Sequence, residues 1–132
     1  IRPFAWDVTA IEINTDLARE LYHQNRSEVR LLQRDFLTVT PADTGLFDAI
    51  AMNPPFSMGR DIKHILHACS MVKDGCVVAA ICANGPRQNK ILKPISETWE
   101  ELPDCTFAET GTYVSTVLLT IRRNAANEKH FR

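Results

Sequence analysis

Phe47-Asp48-Ala49-Ile50-Ala51-Met52-Asn53-Pro54-Pro55-Phe56 is the stretch on which the fold turns. Its first six residues form a mostly apolar run that reads as a buried strand, so the four that follow sit where a strand ends and a loop opens. In an open α/β sheet, that carboxyl edge is where ligands bind. Two consecutive prolines fix two φ angles and remove two N–H donors, leaving a stiff turn whose carbonyl oxygens can point outward as acceptors. Asn53 adds a side-chain carbonyl acceptor and Phe56 a flat apolar face on which a planar ring could stack. The set suits an sp² amine on a flat heterocycle. Pro-Pro pairs also occur in plain surface turns, so the flanking Asn, Phe and strand carry the reading.

Outward from this turn, strands and helices alternate. Residues 8–13 read as a strand and residues 15–26 as a helix, with Asn14, Thr15 or Asp16 as cap and Leu17, Ala18, Leu21 and Tyr22 on one face. Residues 29–32 make a second strand, and 41–45 a turn. After the prolines, Ile62, Ile65, Leu66, Cys69 and Met71 or Val72 recur at helical spacing, which predicts an amphipathic helix over residues 60–72 ended by Lys73-Asp74-Gly75. Residues 76–83 form an apolar run suited to a strand buried on both faces. Asn84-Gly85-Pro86 breaks the chain, and residues 89–102 read as a helix interrupted near Pro94. Residues 105–109 and 115–122 are the last strands, joined through Gly111-Thr112-Tyr113-Val114 as a hairpin. The class is α/β: one domain, a mostly parallel sheet with helices on both faces and a C-terminal antiparallel hairpin.

Two acids end the strands before the turn. Glu12 closes the first, in Ile11-Glu12-Ile13-Asn14, and Asp35 follows the second, in Arg34-Asp35-Phe36-Leu37. Singly, Glu12 fits a helix-capping or solvent-facing carboxylate and Asp35 an Asp in a turn. A carboxylate at such an edge can also accept from both hydroxyls of a ribose. Glu12, Asp35 and Asn53 lie 23 and 18 residues apart, the separation that crossover units impose on one binding edge.

The chain of 132 residues, 45% hydrophobic and with a formal net charge of −1, is ordinary for one globular domain. No run approaches the roughly 20 apolar residues of a membrane span, and no signal peptide begins at Ile1, so the expected setting is the cytoplasm, away from any membrane. Cys69, Cys76, Cys82 and Cys105 form no C-x-x-C pair and read as reduced. His64, His67 and Cys69 lack the spacing of a metal site, and none is expected. Neither hydrolase nor phosphate-loop motifs occur. Arg87, Lys90 and Lys93, and the tail Arg122, Arg123, Lys129, His130 and Arg132, are the basic clusters, read chiefly as solvated surface.

Asn53-Pro54-Pro55-Phe56 after a hydrophobic strand resembles the motif of the class I S-adenosylmethionine-dependent methyltransferases that modify exocyclic or amide nitrogens, most nearly the N6-adenine DNA methyltransferases. The resemblance implies a Rossmann-like fold and S-adenosylmethionine as cofactor. It implies that Glu12 holds the ribose, Ile13 packs on the adenine, and Asp35 with Phe36 takes the adenine amine and ring. It further implies that Asn53 and Pro54 accept from the substrate amine, that Asn53 also borders the cofactor, that Pro55 stiffens the turn and that Phe56 stacks on the base. Ser57, Met58, Arg60 and Arg87 would lie at the rim. The substrate implied first is adenine N6 in DNA, with another domain or subunit supplying recognition. A guanine N2 or adenine N6 in RNA, a protein glutamine, and a noncatalytic nucleic-acid-binding scaffold are the alternatives. The family's glycine-rich loop would precede the first strand. All five glycines here come later, so that loop, with the first strand and helix, is expected to lie outside residues 1–132.

Overall fold

The computed structural model describes residues 7–23, 29–103 and 115–131. Two compact units, Ile1–Asp43 and Thr44–Arg132, each carry their own sheet.

In the first unit β1 (Val8–Ile11) and β2 (Val29–Leu32) pair in parallel, with Val8 opposite Val29 and Ile11 opposite Leu32. Parallel neighbours need a crossover, and the helix α1 (Thr15–His23) lies on it. Asn14 caps α1: its Oδ1 accepts from the N–H groups of Asp16 and Leu17 at 2.9 and 3.0 Å. The strand is shorter than the expected 8–13, because the Glu12 side chain folds back onto the Asn14 N–H at 3.1 Å and turns the chain toward the helix. Of the expected apolar face, Ala18 is buried while Leu17 is half exposed; Leu21 and Tyr22 lie outside the described side chains. A 3₁₀ turn covers Phe36–Thr38. Residues 41–45, expected as a turn, contain the one-turn helix α2 (Pro41–Thr44), fastened where Asp43 accepts from the Thr40 N–H at 2.9 Å.

The second unit has strand order β3-β4-β6-β5, with β3 (Phe47–Met52), β4 (Val72–Ala83), β5 (Thr98–Glu101) and β6 (Thr116–Arg122). β3 and β4 are parallel, joined through the helix α3 (Arg60–Cys69). β6 runs antiparallel to both its neighbours and is inserted between them. Val78 stands opposite Ile121, Ala80 opposite Leu119 and Cys82 opposite Val117, so three buried cross-strand pairs line one face of the sheet. α3 packs against β4 and buries Ile62, Ile65, Ala68 and Cys69, its i, i+3, i+6 and i+7 positions.

Four expectations need correction. The helix ends at Cys69, where the Ser70 N–H bonds to the carbonyls of Leu66 and His67; Met71 is already in the turn and Val72 in β4. Lys73-Asp74-Gly75 therefore lies inside a longer strand, whose register with β3 shifts between Phe47 and Ala49. The strands expected to be buried are less so: in β3 Asp48, Ala49 and Ala51 are exposed, since β4 is its one partner among the described residues, and residues 76–83, expected to be buried on both faces, bury Val78, Ala80 and Cys82 while the alternate residues are half-buried. Finally, residues 89–102 are not one helix. Gly85 and Pro86 start a helix rather than stop one, with proline at a first-turn position where its missing N–H does no harm, giving α4 (Pro86–Ile91). A 3₁₀ turn at Lys93–Ile95 follows, and then β5, whose Trp99 faces Leu119 of β6. The expected strand at 105–109 and its loop Gly111-Thr112-Tyr113-Val114 lie outside the described residues.

Candidate functional site

Glu12 and Asp35 both follow the carboxyl ends of β1 and β2, which the parallel register sets side by side within the first unit. Each carboxylate uses one oxygen locally. Glu12 Oε1 accepts from the Asn14 N–H at 3.1 Å, and Asp35 Oδ1 accepts from the Leu37 N–H at 3.0 Å, capping the 3₁₀ turn. Asp35 is therefore an Asp in a turn, which it caps, whereas Glu12 bonds to the residue that caps α1 rather than to the helix itself. Ile13 is 63% exposed, an apolar surface next to an acid, and Phe36 is half-buried beside Asp35. Two carboxylates bordered by apolar side chains can accept from hydroxyl or amine donors.

In the second unit the turn follows β3. Pro54 is buried, Phe56 half-buried, and Asn53 and Pro55 exposed, so the turn is anchored through one proline while the amide meets solvent. Ser57–Gly59 forms a 3₁₀ turn into α3. Arg60 donates to the Ser57 carbonyl at 3.3 Å and to its hydroxyl, so two of the expected rim residues hold one another. Arg87 comes from α4 and lies over Gly59: a Cβ on that glycine would stand 2.8 Å from Arg87 Nη1. The structure thus gathers Ser57, Arg60 and Arg87 around the segment that follows Phe56.

What holds this segment was not visible in the sequence. Asp61, in the first turn of α3, is closed to solvent. Its Oδ2 accepts from the Ala83 N–H at the end of β4 at 2.9 Å, and its Oδ1 from the Ile62 N–H at 2.9 Å. Gln88 of α4, also buried, donates to both oxygens. One carboxylate joins the start of α3, the carboxyl end of β4 and the start of α4. Gly85 permits this, because a Cβ there would meet Gln88 Oε1 at 2.6 Å. Beside it Asn89 bridges to the Asn84 side chain at 2.9 Å and the Gly85 carbonyl at 2.8 Å. The one signal in the sequence was a glycine three residues before a glutamine, which is too common to read.

Two arginines of the basic tail are paired. Arg122 pairs with Glu97 at 2.8 Å, and Arg123 with Glu128 at 2.7 Å. Lys93 lies 5.9 Å from the centre of the Trp99 ring. A shallow cavity of about 520 Å³, lined in part by Lys90, Ile91, Pro94, Ile95, Lys129 and His130, touches none of the expected site residues. Among the described residues no three His, Cys, Asp or Glu side chains converge as metal ligands, and no helix is long and apolar enough to cross a membrane.

No protein-family model matches the chain, and no curated protein resembles it in sequence. Solved structures do resemble it in fold. The 23S rRNA methyltransferase ErmE superposes with a TM-score of 0.62 at 17% identity, over 90% of this chain and 53% of that one. TrmN from Thermus thermophilus gives 0.63 at 19% identity, over 89% and 36%. The N-methyltransferase NodS from Bradyrhizobium japonicum WM9 gives 0.62 at 14% identity, over 87% and 72%. The chain spans about half the length of ErmE. With its crossover helices, its carboxyl-edge loops and a last strand inserted antiparallel beside β4, the chain has the Rossmann-like fold of the class I methyltransferases.

Proposed function

We propose that the chain is the core of an S-adenosylmethionine-dependent N-methyltransferase that acts on the exocyclic amine of a nucleobase, adenine N6 above all. The observation that carries this is the Asn53-Pro54-Pro55-Phe56 turn at the carboxyl end of β3, anchored through Pro54 with the Asn53 amide exposed. Bound S-adenosylmethionine supplies a sulfonium methyl group for direct displacement by an amine. Glu12 would accept from the ribose hydroxyls, and Asp35 from the adenine amine of the cofactor, with Ile13 and Phe36 as apolar neighbours.

On the substrate side, Asn53 Oδ1 and the Pro54 carbonyl accept from the amine hydrogens, which turns the nitrogen lone pair toward the methyl donor. The same two acceptors stabilise the positive charge that grows on nitrogen. Phe56 stacks on the ring. A base in a helix reaches such a turn after leaving the stack, so Arg60 and Arg87 are suited to hold the neighbouring phosphates.

Resemblance of the motif favours DNA as the polymer. ErmE is named for 23S rRNA, which favours RNA as the second reading. Radiolabelled methyl transfer to unmodified DNA, RNA and a glutamine-bearing protein substrate separates the cases. The expected outcome is label on the adenine amine of a nucleic acid. Label confined to protein would overturn the nucleobase reading, and no S-adenosylmethionine binding by calorimetry would favour a scaffold.

A further inference from the structure

Met58 stands two residues after Phe56 and combines two unusual properties. Among the described residues it is the one non-glycine with positive φ, at 57° with ψ 29°. It is also 84% exposed, the most exposed large hydrophobic side chain among the described residues. A single exposed methionine is ordinary. A left-handed backbone that presents it is not, because side chains with a Cβ resist that conformation and a folded chain retains it where its surroundings over-determine it.

The surroundings do so here. Before Met58, Ser57 receives the Arg60 side chain and the Arg60 backbone N–H on its carbonyl. After it, buried Gly59 is left-handed as well, with φ 71°, and Arg87 fills the space a side chain there would need. Asp61 then locks the chain to β4 and α4. Met58 is thus held out from a loop fixed on both sides, with an arginine to either side and the motif's aromatic ring two residues upstream. Packing within the protein does not account for this, since the side chain covers almost nothing.

The geometry points to a wedge. Building on the nucleobase reading above, we infer that the Met58 side chain enters the base stack of a paired nucleic-acid substrate and fills the place left by the base that turns out toward Phe56. Arg60 and Arg87 take the flanking phosphates. Apolar side chains inserted between base steps unstack them, and the long unbranched thioether of methionine suits an irregular gap. The basic flanks suit a polyanion rather than a neutral peptide.

Binding anisotropy tests this with fluorescein-labelled duplex DNA, an RNA hairpin and the matching single strands, at one fixed salt concentration. Met58→Gly relieves the left-handed backbone and removes the wedge, so it should melt no lower than wild type. It should nonetheless bind the paired probe about fivefold to 150-fold more weakly, the range a single lost base contact gives. The single strand should be bound as before, and Met58→Leu should restore affinity for the paired probe. Equal affinity of Met58→Gly and wild type for the paired probe overturns the wedge while leaving the nucleobase reading in place. An equal loss on paired and single strands, or wild-type binding to single strands alone, overturns it too. Wild type that binds none of the probes overturns both.

Discussion

Gln88 Nε2 donates to both oxygens of the Asp61 carboxylate, each at 3.1 Å, where neither residue is open to water beyond 4% of its surface. With the N–H groups of Ile62 and Ala83 the carboxylate accepts four hydrogen bonds, all from neutral donors. No salt bridge replaces them, so the group depends on geometry alone to offset its desolvation. Asp61→Asn turns an acceptor into a donor that faces the Ala83 N–H or Gln88. We expect a loss of about 1–3 kcal/mol in urea denaturation, the usual cost of unsatisfied buried polar groups. Gln88→Leu in the Asp61→Asn background should cost less than in wild type, because the two act as one unit. Additive losses would show that the carboxylate is not the joint between α3, β4 and α4.

Gly59 meets two constraints at once, a φ of 71° and the Arg87 guanidinium where its side chain would stand. Gly59→Ala should destabilise the fold by about 1 kcal/mol from the backbone alone, visible as a lower melting temperature. The arginine is the flexible end of this contact and can swing away. On the proposed phosphate role of Arg87, the same variant should also weaken nucleic-acid binding with a smaller salt slope. A variant with unchanged melting temperature would show that residue 59 does not need a left-handed backbone.

Arg123 fastens the C-terminal turn to the junction of α3 and β4. Its Nη1 donates to the carbonyls of Ser70 and Val72 at 3.2 and 2.8 Å, and Nη2 to Glu128 at 2.7 Å. Nε lies 3.5 Å from Asp74, an ion pair without hydrogen-bond geometry. The side chain is 16% exposed, so these contacts are little screened. Arg123→Ala should cost about 2–3 kcal/mol. Arg123→Lys should recover less than half, because an ammonium cannot reach three acceptors in different directions. Full rescue by lysine would mean that charge, not the fork, holds the turn.

What could be read from the chain beforehand follows a physical divide. Local signals were reliable: the Asn14 cap of α1, the helical spacing of Ile62, Ile65 and Cys69, and the strand before Asn53 all depend on neighbours in sequence. β5 was misread because Thr98–Glu101 carries one large apolar residue, Trp99, and its strand character comes from pairing with β6, some 20 residues on. Pro86 was read as a breaker because proline stops and starts helices alike, and Gly85 before it decided the matter. The turn at Asn53 was legible because its chemistry is contiguous. Asp61, Gln88 and Gly85 were not, since their partnership exists after α3 and α4 have been brought to the end of β4.

Burial pushes the Cys69 and Cys82 thiols up to about 12, with Arg123 pulling Cys69 slightly down and Asp61 adding to the rise at Cys82. Both folded values lie above the ordinary 9.0, so the protonated thiol is favoured by the fold. The stability this contributes is complete below pH 9 and is lost as pH climbs toward 12. Alkylation at pH 8 should accordingly spare both residues in the native protein and reach them in urea, as read by mass spectrometry of the labelled peptides. Rapid native labelling of either one would contradict the burial of these thiols.

Asn53 should separate chemistry from binding. Its amide is exposed at the end of β3 and has no role in the buried cross-strand pairs, so truncation should leave the melting temperature within about 1 °C, as expected of a surface change. Asn53→Ala removes one of the two acceptors proposed for the reacting amine and should lower turnover about a hundredfold or more, the scale of losing one preorganised polar group. Asn53→Asp keeps an oxygen acceptor at the same reach and should retain more activity than alanine. KM for nucleic acid should move little in either variant if, as proposed, Phe56, Arg60 and Arg87 make the contacts that precede methyl transfer. Pre-steady-state methyl transfer measured alongside binding anisotropy checks the split. Weakened binding with an unchanged transfer rate would move Asn53 from the chemical step to substrate capture and leave the Pro54 carbonyl as the acceptor at nitrogen.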